Sequence, residues 1–494
     1  MMQTKRSFKF WQWQTIVVSM LVYAIYYFVR KNFSIAMPGL TAEYGISNTS
    51  FGVVIAIASL VYGLSRFVNG FIVERVSTKV FMGIGLLLCA LSNFGFGFGV
   101  DLSYLITGVH EGPQFVNMLV LVMGVTIVLN QYFQGFGYPP CARMLPQWIA
   151  PSELATKMSI WNTSHSIGAF SAVVICGLIM TNMGADMSGD SSIVTRIAGN
   201  LAGSIKGWDS LGEAEQSSRV LSYASHYGAW RWCFIIPAIV AIGGAILCFA
   251  ALKDNPQSVG LPEIAETHTG KEATAGKAGA HKAFLRHMVF RSRWIWMFAC
   301  ANVFVYVLRM GVLDWGPKFL TEDRGMNINS AAWSVAVFEL TAIVGTIFAG
   351  WATDHIFKGR AHRMCLFSMS GAVVFLGLFA LVDMPVILST IVLALAGFCI
   401  YGPQALIGIG SANQATKEAS ATANGLVGIF GYAGSALSAI GVGLIADHFG
   451  WKAVFLTFIA AGIVGTLIFV GMWKAPRDGY ARSREFTEKY AKDE

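Results

Sequence analysis

Twelve stretches of predominantly apolar residues, most of them about 20 residues or longer, run through this chain. They fall at approximately 14–38, 51–74, 80–100, 115–138, 157–181, 228–252, 292–316, 331–353, 364–384, 386–410, 421–445 and 452–473. As an α-helix, about 20 residues cross the roughly 30 Å of a bilayer's hydrocarbon core, whereas barrel strands would be shorter and would alternate in polarity. The pattern predicts an all-α membrane protein of twelve transmembrane helices. Composition agrees: 55% of the 494 residues are hydrophobic and 13% are charged, where a soluble domain carries roughly 25% charged residues. Lys5, Arg6 and Lys9 followed by an apolar run resemble a signal peptide. That run is too long for one and holds Arg30, so it reads as an uncleaved first helix.

The net charge of +8 is a matter of topology rather than of nucleic-acid binding. Lys and Arg gather at the N-terminus, in the 75–79 turn, in the 253–290 connection (Lys271, Lys277, Lys282, Arg286), in the turn Lys358–Arg363 and in the tail (Lys474, Arg477, Arg482, Arg484). The 101–114 connection has none, and the 182–226 connection has three against five acids. By the positive-inside rule both termini and the middle connection are expected to be cytoplasmic. The eight cysteines show no CxxC and no paired spacing, so they read as small core residues.

The halves on either side of residues 253–290 repeat. Tyr23, Tyr27 and Arg30 on the first span have counterparts in Asn302, Tyr306 and Arg309 on the seventh. Both sets fall at i, i+4 and i+7, on one face of a helix. Gly70-Phe-Ile-Val-Glu74-Arg75 matches Gly350-Trp-Ala-Thr-Asp354-His355, Tyr138-Pro139 matches Tyr401-Gly-Pro403, and His226-Tyr-Gly228 matches His448-Phe-Gly450. The offset is 279 at the arginines and 280 at the glycines, then falls to 222 at the histidines. Most of the fall is the 182–226 loop, which only the first half has. That loop is Gly/Ser/Asp-rich and is expected to be a solvated excursion with at most a short surface helix. Parallel six-helix repeats with a site at their interface are the pattern of major facilitator transporters. The expected domains are a bundle over 1–252, a flexible linker over 253–290, a bundle over 291–474 and a tail over 475–494.

Ionisable residues well inside the spans are few: Arg30, Lys31, Arg66, His165, Arg309 and Glu339. An arginine at membrane depth is costly unless it faces a water-filled cavity or a partner. Arg30 and Arg309 could each pair with a carboxylate on a neighbouring helix, but only Glu339 is clearly available. The excess charge points to an anionic ligand, and two planar guanidinium forks can grip one phosphate. Arg66, with Tyr62 and Asn69 on its face, is a third cation, suited to a phosphate ester with up to two negative charges; its structural alternative is a bond to backbone carbonyls. His165, beside Trp161 and Asn162, is either a satisfied core histidine or a ligand to a phosphate oxygen. Glu339 is a candidate gating partner of a basic residue. Tyr401, Tyr432 and Asn424 are weaker candidates, since buried tyrosines are commonly just packed. Gly425-Leu-Val-Gly428-Ile-Phe-Gly431 is expected to let helices approach closely rather than to cradle phosphate. There is no Walker-type loop, no nucleophile–base pair and no metal-ligand cluster, so no cofactor and no enzyme activity are expected.

Several segments resemble the organophosphate:phosphate antiporters of the major facilitator superfamily. They are Tyr26-Tyr-Phe-Val-Arg-Lys-Asn-Phe-Ser-Ile-Ala-Met-Pro38, Phe133-Gln-Gly-Phe-Gly-Tyr-Pro-Pro-Cys-Ala-Arg143, Trp161-Asn-Thr-Ser-His165, Ala301-Asn-Val-Phe-Val-Tyr-Val-Leu-Arg-Met-Gly-Val-Leu-Asp-Trp315 and Tyr401-Gly-Pro403. Val312-Leu-Asp-Trp315 is most similar to the glycerol-3-phosphate branch. The resemblance covers nearly the whole chain outside the 182–226 loop and most of the linker. It implies exchange of an external organic phosphate ester for internal inorganic phosphate across a bacterial inner membrane. It also implies phosphate binding by Arg30 and Arg309, with site roles for His165, Tyr27, Tyr62, Tyr306, Tyr401 and Tyr432. Function as a monomer is expected, since the fold needs no partner to make its site. Departures bear on the substrate: Arg66 stands where that branch usually has lysine, His165-Ser-Ile-Gly-Ala169 replaces His-Asn-x-Gly-Gly, Tyr138 replaces tryptophan and Leu154-Ala155 replaces Arg-Gly. A hexose-6-phosphate or phosphoglycerate exchanger, a transporter-like sugar-phosphate sensor and a proton-driven symporter for a neutral solute remain as alternatives.

Overall fold

The structure is a computed structural model that describes residues 7–73, 75–149, 151–262 and 283–493. Glu74 and the linker's Lys271, Lys277 and Lys282, all noted above, lie outside the described residues. All twelve expected spans are helical, and among the described residues the only β-pairing is an isolated bridge between Ala185 and Tyr227. In the first half the helices are α1 (Phe8–Tyr44), α2 (Asn48–Val73), α3 (Thr78–Gly97), α4 (Gly99–Thr107), α5 (Pro113–Gln134), α6 (Tyr138–Trp148), α7 (Pro151–Asn182), α8 (Ser191–Ser204), α9 (Glu213–Ala224) and α10 (Ala229–Ala251). The second half has α11 (Arg293–Glu322), α12 (Ile328–His355), α13 (Ala361–Leu381), α14 (Val386–Thr416), α15 (Thr422–Phe449), α16 (Trp451–Gly471) and α17 (Tyr480–Asp493). Thr416, at φ 64° and ψ 171°, breaks the run between α14 and α15. Large aliphatic side chains such as Leu91, Ile246, Val344 and Ile429 stand exposed on the helices, as a hydrocarbon solvent permits.

The chain divides into two compact units, residues 1–270 with 317–336, and residues 271–316 with 337–494. In the first, α1 packs against α7 and α10, α10 against α3, and α5 against α2 and α3. Hydrocarbon offers no water to polar groups, so these satisfy one another. The Asn32 amide donates to Asn93 Oδ1 (2.8 Å) and to the Cys233 carbonyl (2.9 Å). Asn130 donates to the Val29 carbonyl (2.8 Å), Gln134 to the Tyr26 carbonyl (2.9 Å) and the Tyr26 hydroxyl to the Met82 carbonyl (2.6 Å). This ladder fixes the rotation of α1 around Arg30. Gly168 lets α7 close on α1 beside Tyr27, since a Cβ there would stand 2.2 Å from the Ala24 carbonyl oxygen. Asp254, just past α10, caps α3: it accepts from Ser77 (2.5 Å), Thr78 (2.6 Å) and the Lys79 N–H (2.8 Å). Burial pushes the Asp254 carboxyl up, but these donors outweigh it and hold the group below its ordinary value.

In the second unit α11 lies against α15 and α16. The Asn302 amide donates to the Val427 carbonyl (2.9 Å) and Ser438 to the Val307 carbonyl (3.0 Å), while Phe458 fills the space a Cβ on Gly311 would need. The close approach of α15 is carried by Gly431 and Gly434, whose Cβ atoms would meet Asn302 Nδ2 at 2.7 Å and the Val303 carbonyl oxygen at 2.3 Å. Gly425 and Gly428 have nothing within 4 Å. The expected glycine seam therefore begins at Gly431, nearly two turns after Gly425 where the sequence pattern placed its start.

Several boundaries also differ, for physical reasons. α1 passes through Pro38 and stops only at Gly45, in the left-handed region at φ 67°, whose N–H donates to the Thr41 carbonyl (2.8 Å). α11 likewise runs through Pro317. The fourth span breaks at 135–137, and α6 restarts at Tyr138 with Pro139 in its first turn, where proline's missing N–H costs nothing. The 182–226 loop is a small folded layer rather than a solvated excursion. Ile197, Leu201, Trp208, Val220 and Ala224 pack with Ala42 of α1. Its apolar residues stand one per turn among Gly and Ser, too sparse to read as a pattern. Six cysteines are buried, as expected of core residues, but Cys300 is exposed and Cys399 half-buried.

Candidate functional site

In the first unit, α1, α2, α6 and α7 bring their polar aromatic residues to one cluster. The Arg30 guanidinium lies 3.9 Å from the Tyr62 ring centre and 5.4 Å from that of Tyr27. That of Arg66 lies 4.5 Å from Tyr138 and 5.8 Å from Tyr62. Tyr62 thus borders both cations, and α6, restarting at Tyr138, carries the second face for Arg66. Such contacts contribute about 0.5–2 kcal/mol each, more when desolvated. Tyr23 stacks on Trp161 at 4.8 Å, and Tyr27 meets His165 at 5.6 Å. The Trp161 indole donates to Ser19 Oγ (3.1 Å), which fixes the floor of the cluster.

The His165 ring is oriented locally. The Asn162 carbonyl can only accept, so Nδ1 carries the hydrogen it shares with that oxygen, and Nε2 shares a hydrogen bond with Ser166 Oγ at 3.3 Å. Asn162 thus acts through its backbone, and its side chain is exposed. Asn69, expected on the face of Arg66, donates to Ser65 Oγ (2.7 Å).

In the second unit, Arg309 is buried with its guanidinium 4.5 Å from the Tyr401 ring centre. The Tyr401 hydroxyl donates to Glu339, and both residues are buried. Arg309, Tyr401 and Glu339 therefore form one chain from α11 through α14 to α12. Tyr306 meets Tyr432 edge-on at 6.0 Å. The three-residue face read from the spacing divides by role: Asn302 ties α11 to α15, while Tyr306 and Arg309 enter aromatic clusters.

The two halves are alike in principle and different in detail. Both arginines stand over tyrosines, Arg30 over Tyr62 of α2 and Arg309 over Tyr401 of α14. Tyr138, the counterpart of Tyr401, serves Arg66 instead. Sequence reasoning left Tyr138 out of the site, although its place at a Pro-Pro helix restart was a usable signal. It also missed three ionisable residues inside the longer helices: Glu43, which accepts from the Gly228 N–H (2.7 Å) and the Trp230 indole (3.0 Å), and Lys318, paired with Glu322 at 3.3 Å.

Among the described residues, twelve helices are long and apolar enough to cross a bilayer, and they define a multi-pass membrane protein with cationic, aromatic clusters inside it. The comparisons name the class. The Major Facilitator Superfamily profile matches residues 19–439. A probable hexose phosphate transport protein of Chlamydia pneumoniae is 30% identical over 95% of this chain and 93% of its own length. A glycerol-3-phosphate transporter of Bacillus subtilis is 32% identical over 93% and 92%, and a membrane sensor protein, UhpC, of Escherichia coli is 30% identical over 93% and 92%. The chain belongs to the Major Facilitator Superfamily and, within it, to the organophosphate:phosphate antiporter family; it is a transporter-family protein and not an enzyme.

Proposed function

We propose that the chain is a secondary active antiporter that exchanges external glycerol-3-phosphate, or a similar organophosphate, for internal inorganic phosphate by alternating access. The observation that carries this reading is the matched pair Arg30 and Arg309. They occupy the same position on the first helix of each half, and each has its guanidinium over a tyrosine ring. A guanidinium presents a planar fork of donors that fits phosphate oxygens two at a time. In this reading Arg30 and Arg309 both bind the phosphate group, Arg66 adds charge, and His165, Tyr27, Tyr62, Tyr306, Tyr401 and Tyr432 surround it. Trp161 and the Asn162 carbonyl orient that first-half cluster, and Glu339 sets Arg309 through Tyr401. A state closed around the anion gains attraction from both arginines that the empty protein lacks. The loaded carrier therefore switches more readily than the empty one, and exchange is enforced. Both termini are cytoplasmic by the positive-inside rule, the bilayer is the inner membrane, and the monomer is the working unit.

The names of the relatives support an organophosphate substrate. The preference for glycerol-3-phosphate rests on the Val312-Leu-Asp-Trp315 resemblance and on the Bacillus relative. A second reading, a sugar-phosphate sensor, is favoured by the sensor's similar identity and coverage.

Counterflow into liposomes tests both. Purified protein is reconstituted with phosphate inside, and labelled glycerol-3-phosphate and glucose-6-phosphate are offered outside. Uptake of glycerol-3-phosphate that requires internal phosphate is expected. Preference for glucose-6-phosphate would overturn the branch. Binding without exchange would turn the reading to the sensor.

A further inference from the structure

Three polar contacts converge on the last turn of α11. Arg219 of α9 donates from Nη1 to the Glu322 carbonyl oxygen (3.1 Å) and more weakly to that of Thr321 (3.5 Å). Tyr223, one turn along α9, lines the same cavity as Thr321 and Glu322. Lys318 is wholly buried, donates to Thr41 Oγ1 of α1 and lies 4.8 Å from the Phe51 ring centre. The last carbonyls of a helix have no partners within it and carry the negative end of its dipole, so a guanidinium suits them. Glu215 orients Arg219 from one turn before it (2.7 Å), and Gly325 makes room for it, since a Cβ there would stand 2.6 Å from Nη2.

Two observations give this contact a purpose. Residues 317–336 cluster with the first unit, although in sequence they belong to the second half. A cavity of about 160 Å³ beside the contact is lined by Glu43, Arg219, Tyr223, His226, Thr321 and Glu322. Its carboxylates are already engaged, Glu43 by Gly228 and Trp230 and Glu322 by Lys318, so it is the joint of a contact and not a ligand pocket.

We propose that the 182–226 insertion is a latch, in which Arg219, with Tyr223 beside it, holds the outer end of α11 and sets how readily it leaves the first unit. Its effect on transport rests on the alternating-access reading; its grip on α11 does not. The latch explains why one half alone carries a folded insertion and why α9 presents Arg219 and Tyr223 at i and i+4 to the same turn.

Backbone hydrogen exchange over residues 317–330, measured by mass spectrometry on the full chain in lipid nanodiscs, tests it. R219A should speed exchange there about tenfold, the factor that one charge-assisted hydrogen bond carries. G325A should act in the same direction by displacing the guanidinium; this variant keeps the test open if R219A does not fold. Unchanged exchange in both R219A and G325A overturns the latch. Glycerol-3-phosphate with phosphate should shift exchange in the wild type and less in R219A. An equal shift in both would overturn the latch and leave the transport reading standing. Faster exchange in R219A with no effect of the ester would keep the latch and count against transport.

Discussion

Tyr62 offers the sharpest test of how the first-unit cluster holds its charge. Its ring centre lies 3.9 Å from the Arg30 guanidinium carbon and 5.8 Å from that of Arg66. Laid end to end, those distances put the two cations at most about 9.7 Å apart. At an effective dielectric constant of about 20, unit charges at that separation repel by roughly 1.7 kcal/mol, and by more if closer. A desolvated cation–π contact contributes about 2 kcal/mol and one near the 6 Å limit about 0.5 kcal/mol. The ring therefore offsets the repulsion at that widest separation, and part of it if the cations stand closer. Y62F keeps the ring and should lose less stability than Y62L. Y62L removes it and should lower ligand-free stability by about 2 kcal/mol, a fall of several degrees in the unfolding midpoint. A cavity would destabilise too, but without regard to ligand. An anion between the cations replaces the lost attraction, so added glycerol-3-phosphate should raise the midpoint of Y62L more than that of wild type. Thermal unfolding of purified protein with and without the ester reads both effects. Equal loss in Y62F and Y62L, or a ligand shift in Y62L no larger than in wild type, would refute the reasoning.

Y401F leaves the buried Glu339 without its tyrosine donor and should cost about 1–3 kcal/mol of stability; adding E339Q should recover part of it, read as the unfolding midpoint. D254N removes the charged cap of α3 and should cost about 1 kcal/mol in denaturant unfolding at neutral pH. The folded-state pKa of Asp254 is lowered, so its contribution is present above the unfolded value of about 3.9 and is lost as pH falls through the folded one. The gap between wild type and D254N should therefore be constant at neutral pH and close below about pH 4. G431A would place a Cβ 2.7 Å from Asn302 Nδ2 and 3.0 Å from the Tyr306 ring and should destabilise by about 1–3 kcal/mol. G428A, with nothing within 4 Å, is its silent control in the same unfolding assay.

The number and order of the spans were legible because length and polarity alone decide what crosses hydrocarbon. Arg30, Arg309 and Glu339 stood out because charge is rare there. The partners were harder to read. Helical spacing gives the face a residue shares with its own helix, so Arg66 pointed to Tyr62 and Asn69. Its nearest ring is Tyr138, supplied by α6, and Asn69 turns to Ser65. Only packing between helices decides such a contact. Ending the first and seventh spans at Pro38 and just before Pro317 hid Glu43, Lys318 and Glu322. The 182–226 layer was hidden by dilution, because its core residues make sense only against Ala42 of α1.

The central claim is that Arg30 and Arg309 bind the same phosphate, and a double-mutant cycle tests it most directly. Phosphate affinity is measured by titration calorimetry on the full chain for wild type, R30K, R309K and the double variant. Lysine keeps the charge and loses the fork, so each single change should weaken binding by about 1.5–3 kcal/mol. If both forks act on one phosphate, the double variant should fall short of the sum by about 1 kcal/mol or more. Strictly additive losses, or a single variant that binds as wild type does, would contradict the account.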